Sequence, residues 1–246
     1  MDCVTASGDT AILYSAHFGW RGVALHYNSL LCCVAGQTES RSSMRQAQVR
    51  EEGAQIEYSA PGLKVKGAWQ QCGNMFRAMV YEGSEGVVAW NCLQTGSDVT
   101  LRIGEMDMHG LGYAECLTVT VPPWRLPMKT LRWGRFVSRE HSLIWIDWQG
   151  EYSTSLAVFD GRRSALRKAS EEEIAAEGAT LRMSESLPLR SGRLGDTVLP
   201  SMQRLKKLLP GSLGAIEEHK WRSRGVLDCG EQTTEGWVIH EVVHWN

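Results

Sequence analysis

Short runs in which apolar and β-branched residues alternate with polar ones, or follow one another without a break, dominate this sequence. They fall at 11–18, 23–34, 63–69, 76–81, 86–93, 98–103, 111–121, 130–137, 142–149 and 152–159. A period of two sets successive side chains on opposite faces of an extended chain, so each run reads as a strand. Gly-Ser at 83–84 and 96–97 and Asp-Gly at 160–161 punctuate the runs with turn signals, the rhythm of an antiparallel meander. Strand pattern returns at 215–228 and 236–245, after a loop-like stretch at 187–199. Only two segments read as helical. Ser170 ahead of Glu171, Glu172 and Glu173 gives a capping box for a helix near 170–177, with Gly178 past its end. Pro200 opens a second helix over 200–209, stopped by Pro210. The expected class is therefore all-β, barrels or strongly bent antiparallel sheets with one or two short helices.

The stretch 122–128 holds three prolines in seven positions, which breaks any strand and sets a boundary between an N-terminal barrel, 1–121, and a C-terminal one, 129–246. A net charge of -2 and an isoelectric point near 6.4 give no reason to expect nucleic acid as a partner. No apolar run reaches the roughly 20 residues needed to cross a bilayer. The first residues also lack the basic and apolar regions of a secretory signal, so the expectation is a cytoplasmic protein with no transmembrane segment. Seven cysteines without a CxxC suggest buried thiols rather than disulfides or zinc. Gly110-x-Gly112 lacks the third glycine of a dinucleotide fingerprint, Glu115 standing in its place, and no helix follows. His240 and His244 share a face of the last strand but no third ligand is visible, so no metal and no cofactor is expected.

Ten tryptophans against four phenylalanines suit a lined pocket, because indole joins a broad apolar face to an N–H that needs a partner. Residues 110–148 carry a resemblance. Gly110, Gly112 and Tyr113 match the Gly-x-Gly-Tyr of the carotenoid 1,2-hydratase (hydroxyneurosporene synthase) family. Glu115 stands at its aspartate, Trp133-Gly134-Arg135 matches its next strand, and Val88-Ala89-Trp90 matches its His-x-Trp. Tyr113-Ala114-Glu115 also repeats part of tocopherol cyclase. The chain thus resembles the carotenoid hydratase and AttH-like group of lipocalin-related double barrels, which implies two lipocalin-like antiparallel β-barrels. Ala114, Cys116, Val88 and Leu117 depart from the family, standing where it has three histidines and an asparagine, so a polar acid-and-water site is half apolar here.

In the hydratase and cyclase relatives an acid protonates a carbon–carbon double bond, and water or an internal hydroxyl captures the cation. The resemblance therefore implies a cofactor-independent cyclase, isomerase or hydratase acting on a hydrophobic polyene or isoprenoid-like substrate; peripheral membrane contact is one route by which such a substrate would be collected. Tyr113 and Glu115 are i and i+2 on one strand and share a face. In an apolar lumen Glu115 would be a general acid; its alternative is an ion pair with Arg135 or Arg132. Tyr113 is its catalytic neighbour, or else a buried hydroxyl. Trp90, Trp133, Trp145, Trp148 and Trp237, with Trp221, are expected to line a cleft between the two barrels, and the Trp90 and Trp133 faces would stabilise positive charge. Arg135 would orient Glu115 or anchor a substrate oxygen, and Asp147 and Glu241 are reserve acids. Two alternatives remain open, a lipocalin-like carrier of a lipid or pigment and a pericyclase that acts by positioning its substrate.

Overall fold

The computed structural model describes residues 1–20, 23–197 and 214–245. Two compact units divide the chain, Met1–Asn74 with Gln94–Ala114 and Met75–Leu93 with Glu115–Asn246. The first sheet has ten strands: β1 (Asp2–Thr5), β2 (Thr10–Trp20), β3 (Val23–Val34), β4 (Gln37–Ser43), β5 (Gln48–Glu52), β6 (Gln55–Ala60), β7 (Val65–Gln71), β8 (Phe76–Gly83), β9 (Gly86–Ile103) and β10 (Met106–Val119). Their hydrogen-bonded order is β4-β3-β2-β1-β10-β9-β7-β6-β5, with β8 on β9 outside this path. The long strands β9 and β10 give Gln94–Ile103 and Met106–Ala114 to the first unit, and Gly86–Leu93 and Glu115–Val119 to the second.

In the first unit, β1 lies against β10 with Val4 opposite Leu111. Gly110 and Gly112 permit this close approach, because a Cβ at either would sit 2.1 Å from the Val4 carbonyl oxygen or 2.0 Å from that of Asp2. The Gly-x-Gly is thus a backbone contact rather than a phosphate cradle. The same Asp2 is buried. Its carbonyl accepts the Trp69 indole N–H at 2.7 Å and its carboxylate accepts the Tyr113 backbone N–H at 3.2 Å.

The second unit is built on a nine-stranded antiparallel sheet, ordered β14-β13-β12-β11-β19-β18-β17-β16-β15. Its strands are β11 (Thr130–Val137), β12 (Ser142–Gln149), β13 (Thr154–Phe159), β14 (Arg162–Ser164), β15 (Leu166–Ala169), β16 (Glu173–Ala176), β17 (Ala179–Arg193), β18 (Glu217–Cys229) and β19 (Gln232–His244). The sheet curls until Leu166 and Ala169 of β15 pack on the same core as Phe159 of β13, nearly closing a barrel. Its inner face buries Phe136, Leu143, Trp145, Leu181, Leu227 and Val238. Gly134 makes room for the Trp145 ring, since a Cβ there would meet it at 2.2 Å. Burying such a cluster supplies most of the stabilisation available to a fold of this kind, on the order of 2 kcal/mol per large side chain.

Several expectations are corrected. No helix forms near 170–177: Glu173–Ala176 is β16, with Ile174 and Ala176 buried alternately. The Ser170 hydroxyl does accept the Glu173 N–H at 3.0 Å, but it also donates to the Glu173 carbonyl at 3.1 Å, so the capping pattern closes a hairpin. The core demanded a period of two there, and local helix signals yielded. The helix over 200–209 lies outside the described residues; the described α1 is one turn, Leu194–Thr197. Most of the loop-like 187–199 is strand β17, whose register shifts beside Pro188 absorb that residue. Gly96-Ser97 is no turn and lies inside β9, which fuses two of the runs. Not every thiol is buried, since Cys72 and Cys116 are exposed.

Candidate functional site

Within the second unit, Trp90 of β9 is buried with its indole N–H donating to Glu115 Oε2 at 2.6 Å. Phe76 lies 5.8 Å from the Trp90 ring, and Trp133 of β11 meets it edge-to-face at 5.7 Å. Tyr113 is buried on the stretch of β10 that belongs to the first unit. Leu117 and Val119 continue the Glu115 face of β10 and are left 40% and 44% exposed, an apolar strip running from the carboxylate to solvent.

The face of the nine-stranded sheet that carries Trp133 is opposite to the one that carries Trp145. Cross-strand register aligns Trp133 with Glu241 on β19, Glu241 with Lys220 on β18, and Lys220 with Arg190 on β17. Residues directly opposite each other project to the same side, so these four form one row. Arg135, two residues beyond Trp133 and only 2% exposed, and Glu218, two before Lys220, share that side. The Lys220 ammonium bridges the two acids, contacting Glu241 Oε2 and lying 3.1 Å from Glu218 Oε1. Arg190 grips Glu218 with both arms of its guanidinium, at 2.7 and 2.8 Å.

The two carboxyls are driven apart. Burial, joined by the Glu218 charge and opposed by Lys220, pushes Glu241 up to about 7. Burial also disfavours ionised Glu218, but the Lys220 charge and the Arg190 bonds outweigh it and hold that carboxyl well below the usual range. The pair shares a hydrogen bond, and a proton that remains on it as the pH approaches 7 sits on Glu241 rather than on Glu218. Sequence reading named Glu241 only as a reserve and missed Glu218, Lys220 and Arg190. Their signal was the alternation Glu218-x-Lys220, which becomes meaningful only once the register with Glu241 is known.

The other candidates separate into distinct places. Trp148 lies on the Trp133 face, stacked on Tyr81 at 5.8 Å and edge-on to Tyr152 at 6.2 Å. Trp237 is on that side too, but its ring is flanked by Arg222 and Arg224 at 4.6 and 4.1 Å. Trp145 is in the barrel core on the inner face. Asp147 shares that inner direction and pairs with Arg132 at 3.5 Å. Trp221 is inside as well, stacked between His219 and His240. His240, which burial pushes down to about 4, bonds Ser223 at 2.9 Å, and Ser223 bonds Ser186 at 2.8 Å. A recess of about 480 Å³ in the first unit is lined by polar groups such as Arg50, Glu57, Lys66 and Arg102 and includes none of the candidates.

No family model matches the sequence, and no curated protein does. Solved structures do match in fold. Kievitone hydratase from Nectria haematococca superposes with a TM-score of 0.59 at 8% identity, over 98% of this chain and 86% of that one. A putative AttH protein from Nitrosomonas europaea gives 0.60 at 8% identity, over 99% and 90%. CghA, solved with Sch210972, gives 0.50 at 8% identity, over 96% and 74%. At such identity the likeness is one of architecture, and it agrees with the resemblance carried by residues 110–148: this chain has the fold of the AttH-like proteins.

Proposed function

We propose that the chain is a cofactor-independent enzyme of hydratase or cyclase type acting on a hydrophobic, alkene-bearing substrate, with Glu241 as proton donor. The observation that carries this reading is the acid pair itself. A carboxyl whose pKa is raised to about 7, beside an indole face and braced by an ionised partner, is suited to protonating an alkene carbon. Glu241 delivers its proton to one alkene carbon, and the cation left on the other is stabilised by the Trp133 and Trp90 faces. Water or a substrate hydroxyl adds its oxygen to that carbon and gives up its proton to Glu115, which Trp90 holds in place. Proton exchange with solvent restores both acids. Glu115, first in line from sequence, thus becomes the acceptor, because an indole donor already occupies one of its oxygens. The fold shared with kievitone hydratase supports the scaffold for such chemistry and no more.

The test is native extraction of any co-purifying small molecule, identification by mass spectrometry, and incubation of that compound with the protein in deuterated water. An enzyme of this kind returns a product with deuterium on carbon, and Glu241→Gln lowers its formation ~100-fold or more with binding retained. Recovery of unchanged, undeuterated ligand marks a carrier and refutes the proposal.

A further inference from the structure

The indole N–H groups of Trp133 and Trp148 are both buried and have no hydrogen-bond partner among the described residues. The side chains are 9% and 3% exposed. An indole N–H out of reach of both water and an acceptor is a cost to folding, and proteins rarely leave one so, still less two together. The two are neighbours. Trp133 pairs with Ile146 and Trp148 with Leu131 across β11 and β12, so the indoles sit diagonally on one face, beside Glu241. Diagonal positions in a sheet are ~7 Å apart, a span that a flat ligand of two fused or linked rings covers. The aromatic surroundings fit such a ligand: Trp90 stands edge-to-face to Trp133, and Tyr81 stacks on Trp148. Tyr152, partly exposed in the short connection from β12 to β13, meets Trp148 edge-on at 6.2 Å, so this aromatic group reaches toward solvent.

We infer that Trp133 and Trp148 are specificity-determining residues that donate to oxygen acceptors on the substrate. The substrate is then a conjugated carbonyl compound rather than a pure hydrocarbon polyene. This rests on the proposed site but not on the proton transfer. A hydrocarbon would leave both donors unmet, while a carbonyl oxygen satisfies them, and an unmet buried donor is the strongest discriminator a hydrophobic pocket has.

The experiment compares trans-chalcone with trans-stilbene, two planar diphenyl probes that differ by a carbonyl, in equilibrium titrations followed by tryptophan fluorescence. Chalcone is expected to bind at least ~10-fold tighter than stilbene. Trp133→Phe and Trp148→Phe, which keep an aromatic ring and lose the donor, should each reduce that preference severalfold while stilbene binding changes little. On nitrogen-15-labelled protein, chalcone and not stilbene should move the two indole N–H signals that these variants identify. Equal binding of both probes, no saturable chalcone binding, a preference that survives both substitutions, or indole signals that stay still overturns the inference. Glu241→Gln should bind chalcone like the unsubstituted protein even with turnover lost, so failure of the chemistry and failure of this recognition remain distinguishable.

Discussion

Replacing Glu241 with glutamine should change how the stability of the second unit depends on pH. In the unfolded chain the carboxyl titrates near its ordinary 4.5, and in the fold near 7. Below about pH 4.5 it is protonated in both states and contributes nothing. Between the two values the folded chain keeps a proton that the unfolded chain has released, so stability falls as pH rises. Above about 7 both forms are ionised and the whole loss is present. A gap of about 2.5 pH units corresponds to about 3 kcal/mol. Glu218, shifted the other way, is ionised in both states across this window and adds no slope. His240, pushed down to about 4, adds an opposite slope below about pH 6.5, because the unfolded chain takes up a proton there that the folded chain refuses. The comparison must therefore be between proteins and not between pH values alone. Urea unfolding followed by tryptophan fluorescence at pH 5 and pH 8 should show the unsubstituted protein losing about 2.5 kcal/mol relative to Glu241→Gln, since part of the loss is already present at pH 5. Glutamine keeps the shape and can still accept from Lys220. Parallel pH profiles for the two proteins would mean that Glu241 is not held protonated, and the acid assignment would go with it.

Lys220→Met should destabilise the second unit by about 3–5 kcal/mol at neutral pH, because it removes one of the two cations that pair with the buried Glu218 charge; thermal unfolding of the variant measures this, and a change under 1 kcal/mol would refute it. Gly134→Ala should cost about 1–3 kcal/mol and lower the melting temperature, since its Cβ would lie 2.2 Å from the Trp145 ring and 2.7 Å from the His240 Cβ; an unchanged melting temperature would contradict the packing described.

Strand existence was legible wherever burial on one or both faces wrote itself into a period. The runs 130–137 and 142–149 coincide with β11 and β12 to the residue, because both strands lie in the middle of the sheet and are buried on both sides. The exposed strands β4 and β5 were missed, as Gln-Thr-Glu-Ser-Arg-Ser-Ser and Gln-Val-Arg-Glu-Glu carry no apolar face to betray them. At 170–177 a true local motif, Ser170 with Glu173, was read in the wrong element, since the same side-chain bond can start a helix or close a turn. The site was half legible. Glu115, Trp90 and Trp133 could be named from one segment and its neighbours, and the structure brings them together. The acid pair could not, because Glu218 and Glu241 lie on different strands and their partnership depends on register, which a one-residue slip would abolish.

The two faces of the nine-stranded sheet do different work, and the difference bears on why the charges are there. Phe136, Trp145 and Val238 on the inner side are apolar and fitted around Gly134, Gly225 and Gly236, so that side needs no ion pair to be stable. On the outer side, Glu218, Lys220 and Arg135 are buried as deeply as many core residues. A buried ion network is commonly no more stabilising than apolar side chains of the same volume, because each ion gives up several kcal/mol of hydration. Stability alone therefore does not account for a row of four strands running Trp133, Glu241, Lys220, Arg190 where leucine and valine would serve. What such a row does that an apolar one cannot is fix a proton on one carboxyl and deny it to another. The alternation that places Phe136 and Gly134 inside places Arg135 and Trp133 outside, so one strand, β11, contributes both to the core and to the proposed site. Substitutions on its two faces should separate accordingly, with loss of folding from one set and loss of turnover from the other.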